Sequence, residues 1–501
     1  MRSPPPSIAQ SVAWNYLGAV YEAGAGVVLV GYVVRRISVG EYGVLLLAMS
    51  LCSMMFLLDV GLSNLLVQAY IAAAKENCER LSDLLSTAFV TLSGLGTLGL
   101  LVFTTLALKL PGPFNIPPGY VGRAVGVFIL VAVATQVGLP TMALEYAYQA
   151  FHRFDRINQA QLVAATVRVV LTVVLLAEGY GVVALAAVQI VVSVTRLLVL
   201  WVALRWSVPD AHLDVRCFDW NLLKPLLRRG TWAVLDNSMR QLASISDFFI
   251  LGVFSSVSSV ALFGLGGKLP TQLSNMVTRG AIVILPFLAQ HHADGDQRQL
   301  QRVYLNTQNL VFSGVLPVVV LGCVCARPLI RVWAGSAYIG AAVVTQWLLL
   351  AALSLAMEYS SDLLLYALGE VKTAARIATF ESVANVVVSL ALVFRYGAVG
   401  LAAGTAITHI LINAFWYTPA ACRAAGIRIS ELVRAVVGGQ AWLLLLLSVE
   451  IVIIRLVWSA LPPEGVLIVG MIGGVAYLAV WGLRTAIPMW RLRVEAVDSG
   501  L

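Results

Sequence analysis

Apolar runs of about twenty residues or more recur along the whole chain, each closed by a short cluster rich in Arg, Lys, Pro or Gly. Fourteen segments stand out, at 11–34, 42–70, 82–108, 121–149, 157–178, 181–204, 228–254, 259–290, 303–326, 338–368, 373–394, 397–421, 433–458 and 464–485. At 1.5 Å rise per residue, a helix of about 20 residues crosses a hydrocarbon core of roughly 30 Å. Several segments exceed that length, which calls for tilt or for extension beyond the bilayer. The pattern predicts an all-α polytopic membrane protein with about 14 transmembrane helices.

The connections are short. The longest on one side is 205–227, which holds "VPDAH" and the amphipathic "FDWNLLKPLLRRG"; the longest on the other is "KLPGPFNIPPGY". Neither can house a soluble catalytic domain. An internal repeat sets the organisation. "EGYGVVALA" at 178–186 matches "FRYGAVGLA" at 394–402, aligning Tyr180 with Tyr396 and Gly181 with Gly397. Each motif opens the sixth helix of its half. The expected layout is an N-terminal six-helix lobe (1–204), a cytoplasmic linker (205–227), a C-terminal six-helix lobe (228–430), and a two-helix tail with a cytoplasmic C-terminus (431–501).

Composition agrees: 60% of residues are hydrophobic and 12% charged, about half the charged share of a soluble domain. The net charge of +8 reads as positive-inside bias and not as a nucleic-acid footprint. With the N-terminus inside, the inner connections hold twenty Lys and Arg, among them Lys75, Arg80, Arg153, Arg156, Arg228 and Arg229. The outer ends hold eight: Arg35, Arg36, Lys109, Arg123, Arg327, Arg331, Arg395 and Arg455. Both termini are therefore expected in the cytoplasm, with the chain in the cytoplasmic (inner) membrane. "MRSPPPSIAQ" is too polar for a secretory signal, so the first helix is expected to stay uncleaved. Six cysteines suggest no disulfide framework; Cys78, Cys217 and Cys422 fall in expected loops, and Cys52, Cys323 and Cys325 in apolar segments.

Several stretches resemble a known family. These are "SIAQSVAWNYLGAVYEAGAGVVLVGYVVRRISVGEYGVLLLAMS", "LLDVGLSNLLVQAY", "SSVALFGLGGKL…ILPFL" and "YGAVGLAAGTAIT". Across nearly the whole chain they are similar to the O-antigen and exopolysaccharide lipid-carrier flippases. That branch belongs to the multidrug/oligosaccharidyl-lipid/polysaccharide exporter superfamily. The resemblance implies two lobes that rock around a central cavity, and transport of a polyprenyl-pyrophosphate-linked sugar unit from the inner to the outer leaflet. It also implies partners: the lipid-linked oligosaccharide, membrane lipids, and the polymerases and glycosyltransferases of polysaccharide assembly.

Charges inside a membrane span are costly and mark functional candidates. The basic ones are Arg168, Arg196, Arg240, Lys268 and Arg279. Lys268 and Arg279 are eleven residues apart, three turns at 100° per residue, with Gln272 and Asn275 in the same sector. Such a stripe cannot face lipid. Two readings stand: interhelical ion pairing, expected for Arg168, Arg196 and Arg240, or a cationic wall that holds a pyrophosphate. A diphosphate needs at least two cationic donors, so Lys268, Arg279, Arg240, Asn275 and Gln272 form the candidate substrate set. Pro270, with Gly264, Gly266 and Gly267, marks a kink. Asp59, Glu22, Glu358 and Asp362 are candidates for proton or sodium coupling; Glu358 and Asp362 lie one helical turn apart.

No P-loop or nucleophile constellation is visible, and His152, His212, His291, His292 and His409 are scattered. No enzymatic activity, cofactor, metal site or nucleic-acid partner is expected. The rival readings are a multidrug exporter of the same superfamily, a membrane glycosyltransferase or polymerase, and a non-transporting scaffold of a polysaccharide assembly complex.

Overall fold

The computed structural model describes residues 8–59, 62–76, 78–109, 112–114, 116, 118–207, 213–214, 218–222, 224, 246–281, 284–438, 440–458 and 460–482. Side chains at 8–17, 19–20, 57–59, 62–64, 75–76, 78, 206–207 and 441–442 lie outside that description. Among the described residues there are helices and turns and no strand. Among the described residues, ten helices are long and apolar enough to cross a membrane, or eleven if the bent pair Ile429–Gly438 and Leu443–Val457, 52° apart, is one span. The fold is thus an all-helical, multi-pass one. Against the fourteen predicted segments, 373–394 and 397–421 count here as one element that turns back at Gly397, 433–458 is the bent pair, 11–34 enters only as the shorter Tyr21–Val34, and 228–254 is described only from residue 246 onward.

The chain divides into two compact units, Met1–Ala261 and Leu262–Leu501. The first unit contains α1 (Ile8–Val34), α2 (Val39–Ser53), a 3₁₀ turn (Met54–Asp59), α3 (Leu62–Glu76), α4 (Cys78–Ala107), α5 (Val121–Ala150), α6 (Phe154–Ala177) and α7 (Val182–Ser207). A capping box starts α2: Glu41 N–H donates to Ser38 Oγ (3.2 Å), and Ser38 N–H donates to Glu41 Oε2 (3.1 Å). This satisfies two backbone donors at the helix start. Arg123 completes the corner with an ion pair to Glu41 at 3.0 Å. The core gathers Leu66, Tyr70, Leu85, Leu92, Leu144 and Leu200. Tyr148 sits fully buried in it and donates its hydroxyl to the Leu200 carbonyl (2.9 Å).

The second unit begins within α8 (Val257–Gly266). It continues with α9 (Lys268–Ala281), α10 (Leu285–Ala293), α11 (Gln297–Ala334), α12 (Ala341–Ala367), α13 (Val371–Ile412), α14 (Thr418–Ala424), α15 (Ile429–Val433), α16 (Ala441–Val457) and α17 (Pro463–Trp481). The predicted segment 259–290 therefore spans α8, α9 and α10. It breaks at Gly267, ahead of Pro270. Proline is tolerated in the first turn of a helix, where its missing N–H would have no partner anyway. Pro270 accordingly opens α9 instead of kinking it. The C-terminal α17 is bonded to α11: Tyr477 donates to the Ser313 carbonyl (3.1 Å) and Trp481 Nε1 to Ser313 Oγ (2.8 Å). Cys422, expected in a loop, is buried in α14.

The element 371–412 is a hairpin. Gly397 has φ 55° and ψ −132°, a conformation open to glycine and strained for other residues. The two arms run antiparallel, and each step of four residues along one is matched by four along the other. His409 meets Glu381, Thr405 meets Asn385, and Leu401 meets Ser389. Gly400 and Gly404 form a G-x-x-x-G pair that lets the backbones approach. A Cβ on Gly404 would stand 2.8 Å from Ser389 Cα, and one on Gly400 2.3 Å from the Leu392 carbonyl oxygen. The matching sequence motif, at 178–181, also sits in the turn between two helices, α6 and α7, but there the positive φ (87°) belongs to Gly179.

Gly404→Val should open this packing and destabilise the protein by about 1–3 kcal/mol. Gly126→Ala on α5, where nothing lies within 4 Å, should be neutral within about 0.5 kcal/mol. Thermal unfolding of purified protein in detergent, followed by size-exclusion chromatography, checks both.

Candidate functional site: the polar face of α9 and a buried carboxylate–imidazole cluster

The first candidate follows from the composition of α9. Lys268, Gln272, Asn275 and Arg279 recur at spacings of four, three and four, one face of a helix. Asn275 and Arg279 are exposed, and Lys268 and Gln272 half-buried. The opposite face carries Leu273 and Val277, which pack with Val315, Val319, Leu349 and Ala356 of α11 and α12. The stripe read from the sequence is therefore a genuine two-faced helix, anchored on one side and polar on the other. Lys268 and Arg279 stand roughly 16 Å apart along the axis. Arg240 lies outside the described residues, as does the side chain of Asp59, whose backbone ends the 3₁₀ turn.

The other buried charges separate into paired and unpaired. Arg196 on α7 forms an ion pair with Glu145 on α5 at 2.7 Å, as the pairing reading expects. Arg168 on α6 does not: it is half-buried, its Nε is buried without a hydrogen-bond partner, and among the described residues it makes no ion pair. Glu22 is half-buried on α1 and accepts a hydrogen bond from Gln161 Nε2 on α6 (2.8 Å), a neutral donor. A cavity of about 260 Å³ in the same unit is lined by Phe89, Val90, Leu197, Leu198 and Trp201, with Ser86 and Asp214. It contains none of the predicted site residues.

The second candidate lies in the second unit and was half legible. Glu358 and Asp362 do share a face of α12, yet the fold sends them to different partners. Tyr417 donates its hydroxyl to Asp362 Oδ1 (2.5 Å). Glu358 instead joins Glu381 and His409 from the two arms of the hairpin. His409 Nδ1 is 2.7 Å from Glu381 Oε1 and 3.6 Å from Glu358 Oε2. One donor atom from each of the three residues fits within 4.8 Å of the others. Glu358 and His409 side chains keep 14% and 16% of their exposure, Glu381 7%. Ser354 Oγ donates to the His409 carbonyl (3.0 Å), and Asn413 Nδ2 to the Ser354 carbonyl (3.1 Å). Two carboxylates and an imidazole so placed can hold a proton or a cation between them. Sequence reasoning treated His409 as scattered and left Glu381 out of the coupling set. A signal was present: with the Tyr396-Gly397 turn recognised, Glu381 and His409 each lie fourteen residues from Arg395, so a hairpin sets them side by side.

Fold and site together define a multi-pass helical membrane protein with polar clusters set among its apolar helices. Residues 32–343 match the model of the polysaccharide biosynthesis protein family, and the chain belongs to that family. A Shigella flexneri protein described as an O-antigen transporter is 21% identical over 409 residues, 81% of this chain and 96% of that protein. Among solved structures, the lipid II flippase MurJ in an inward closed conformation superposes with a TM-score of 0.66 at 12% identity, covering 95% of this chain and 99% of its own. An inward-facing multidrug resistance transporter of the MATE family, in the MOP superfamily, reaches 0.64 at 15% identity, covering 81% and 95%. At such identities these two likenesses concern the fold.

If the α9 stripe is wet, Asn275→Cys and Arg279→Cys should react with a water-soluble thiol reagent several times faster than Leu273→Cys and Val277→Cys, in a background without native cysteines. Equal rates would contradict the two-faced helix.

Proposed function

We propose that this chain flips a polyprenyl-pyrophosphate-linked oligosaccharide across the cytoplasmic membrane by alternating access. The observation that carries the reading is the charged face of α9, in a chain of the polysaccharide biosynthesis family. A diphosphate carries charge that hydrocarbon does not solvate, and Lys and Arg donors offset that cost. Lys268 and Arg279 are too far apart for one diphosphate to bridge. They serve as successive stations, Arg279 nearer the cytoplasm and Lys268 nearer the outside, with Gln272 and Asn275 between them. Arg240 is a third cation in this scheme. The relative described as an O-antigen transporter and the fold shared with a lipid II flippase support the same substrate class.

In this proposal the protein is a transporter and not an enzyme, with both termini in the cytoplasm, six helices in each lobe and a two-helix tail. It works beside the polymerases and glycosyltransferases that make and use the lipid-linked unit. Transport is coupled to a proton or sodium ion. The multidrug-exporter reading has the MATE-like fold in its favour, but a cationic stripe repels cationic drugs.

Flipping of a fluorescent polyprenyl-pyrophosphate sugar in proteoliposomes tests the proposal. Each charge-assisted hydrogen bond contributes about 1.5–3 kcal/mol. Arg279→Ala should therefore weaken loading from the cytoplasmic side roughly tenfold to a hundredfold. Lys268→Ala should slow release by a similar factor, and Glu at either position should be worse than Ala. Wild-type rates in both Ala variants, at normal expression, would reduce the stripe to a structural feature.

The orientation has its own check. The native Cys217 lies in the 205–227 connection, so an impermeant thiol reagent should label it only after the cells are permeabilised. Labelling in intact cells would reverse the topology.

A further inference from the structure

We propose that Glu358, Glu381 and His409 form a single proton-loading site inside the second unit, with Glu358 as the group that takes up and gives back the proton. This deepens the transport reading above, because it names the coupling ion and the place where it binds.

The geometry supports a proton over a larger cation. At 2.7 Å, His409 Nδ1 and Glu381 Oε1 are at the length of a charge-assisted hydrogen bond, so one proton is shared between Glu381 and the His409 nitrogen that faces both acids. That nitrogen is 3.6 Å from Glu358 Oε2, beyond hydrogen-bond reach. Among the described residues, Glu358 Oε2 is buried and has no hydrogen-bond partner. With both carboxylates ionised and the imidazole protonated, the cluster carries one net negative charge in a span where bare charge is unfavourable. Protonation of Glu358 at Oε2 removes that charge without moving another group. Its release restores the anion, so one proton enters and one leaves per cycle.

Among the described residues, His409 is the one cationic group within ion-pair distance of Glu358. On α12 the next acid is Asp362, a turn away and bonded to Tyr417. From the first hairpin arm comes Glu381, and from the second His409. On α11, Tyr304 shares a hydrogen-bond cluster with Ser361 and Gln308. On α9 the charged residues are Lys268 and Arg279, and among the described residues Arg279 forms no ion pair with Glu358.

The site also has a mechanical link to the substrate face. Glu381 and His409 belong to a hairpin locked by the Asn385, Ser389 and Thr405 contacts, whereas Glu358 belongs to α12. Loading therefore changes the attraction between α12 and the hairpin. Contacts at Gly266–Val344 and Gly267–Leu348, and the cluster of Leu273 and Val277 with Leu349, Leu353 and Ala356, run α9 parallel to α12. That register puts Arg279 at about the level of Glu358. A shift of α12 on proton binding thus acts on the helix that carries the cationic stations.

Infrared difference spectroscopy of the purified protein in nanodiscs tests the site without any substrate. Between alkaline and acidic buffer the wild type should gain a protonated-carboxyl band that shifts in D2O. Glu450 on α16 is a second buried carboxylate whose Oε1 has no hydrogen-bond partner among the described residues, so the test is run in a Glu450→Gln background: that change should keep the band, Glu358→Gln added to it should abolish the band, and His409→Gln should move its midpoint. The His409 variant keeps the test decisive if Glu358→Gln does not fold. A band that survives in Glu358→Gln, an unmoved midpoint in His409→Gln, or a wild-type band displaced by Na+ or Zn2+ overturns the proposal. In proteoliposomes, a pH gradient should speed wild-type flipping by roughly fivefold or more and leave Glu358→Gln indifferent; a variant that still responds to the gradient overturns it too. A titrating band in a protein that flips no polyprenyl lipid would sink the substrate reading and leave the proton site standing.

Discussion

Hydrocarbon offers no hydrogen-bond partner, and every polar atom of this chain that enters the bilayer must find its partner inside the protein. The backbone meets that demand with helices. The side chains meet it between helices, and this second layer of pairing organises each unit. In the first unit it gives the Arg196–Glu145 ion pair and the Glu22–Gln161 contact. In the second it gives the Tyr304–Gln308–Ser361 group, the Tyr417–Asp362 bond and the Glu358–Glu381–His409 cluster. Ser313 ties the C-terminal helix to α11 in the same way.

The 371–412 hairpin shows how closely such pairing depends on small residues. Gly400 and Gly404 bring the arms within backbone contact. Only then do the short side chains of Asn385, Ser389 and Thr405 reach one another, and Glu381 reach His409. A larger residue at either glycine would separate the acid from the imidazole as well as loosen the helices. Packing and chemistry are therefore the same constraint in this element.

Where polar groups remain unsatisfied, they point to function. Among the described residues, the polar face of α9 exposes Asn275 and Arg279, Arg168 forms no ion pair, and Glu358 Oε2 has no hydrogen-bond partner. A structural role alone would tend to eliminate such groups, because an apolar residue would serve the fold better. A transporter has a use for them, since its cargo and its driving ion arrive and depart.

The all-helical, membrane-spanning class was legible in the chain because hydrophobic length and charge bias act locally. The α9 stripe was legible too, since a helix has one period and its faces follow from spacing alone. The Tyr-Gly turn motifs at 180–181 and 396–397 announced helix connections for the same reason. Tertiary structure decided the rest. Spacing on α12 put Glu358 and Asp362 in one class, but their partners come from other elements, and the fold gave one a tyrosine and the other a histidine and a second acid. Nothing in the local pattern distinguished His409 from the other four histidines until the hairpin brought residue 409 opposite 381. Pairing across helices depends on register, and register is set by the turn at Gly397 and the close approach at Gly400 and Gly404, which only the folded chain reveals.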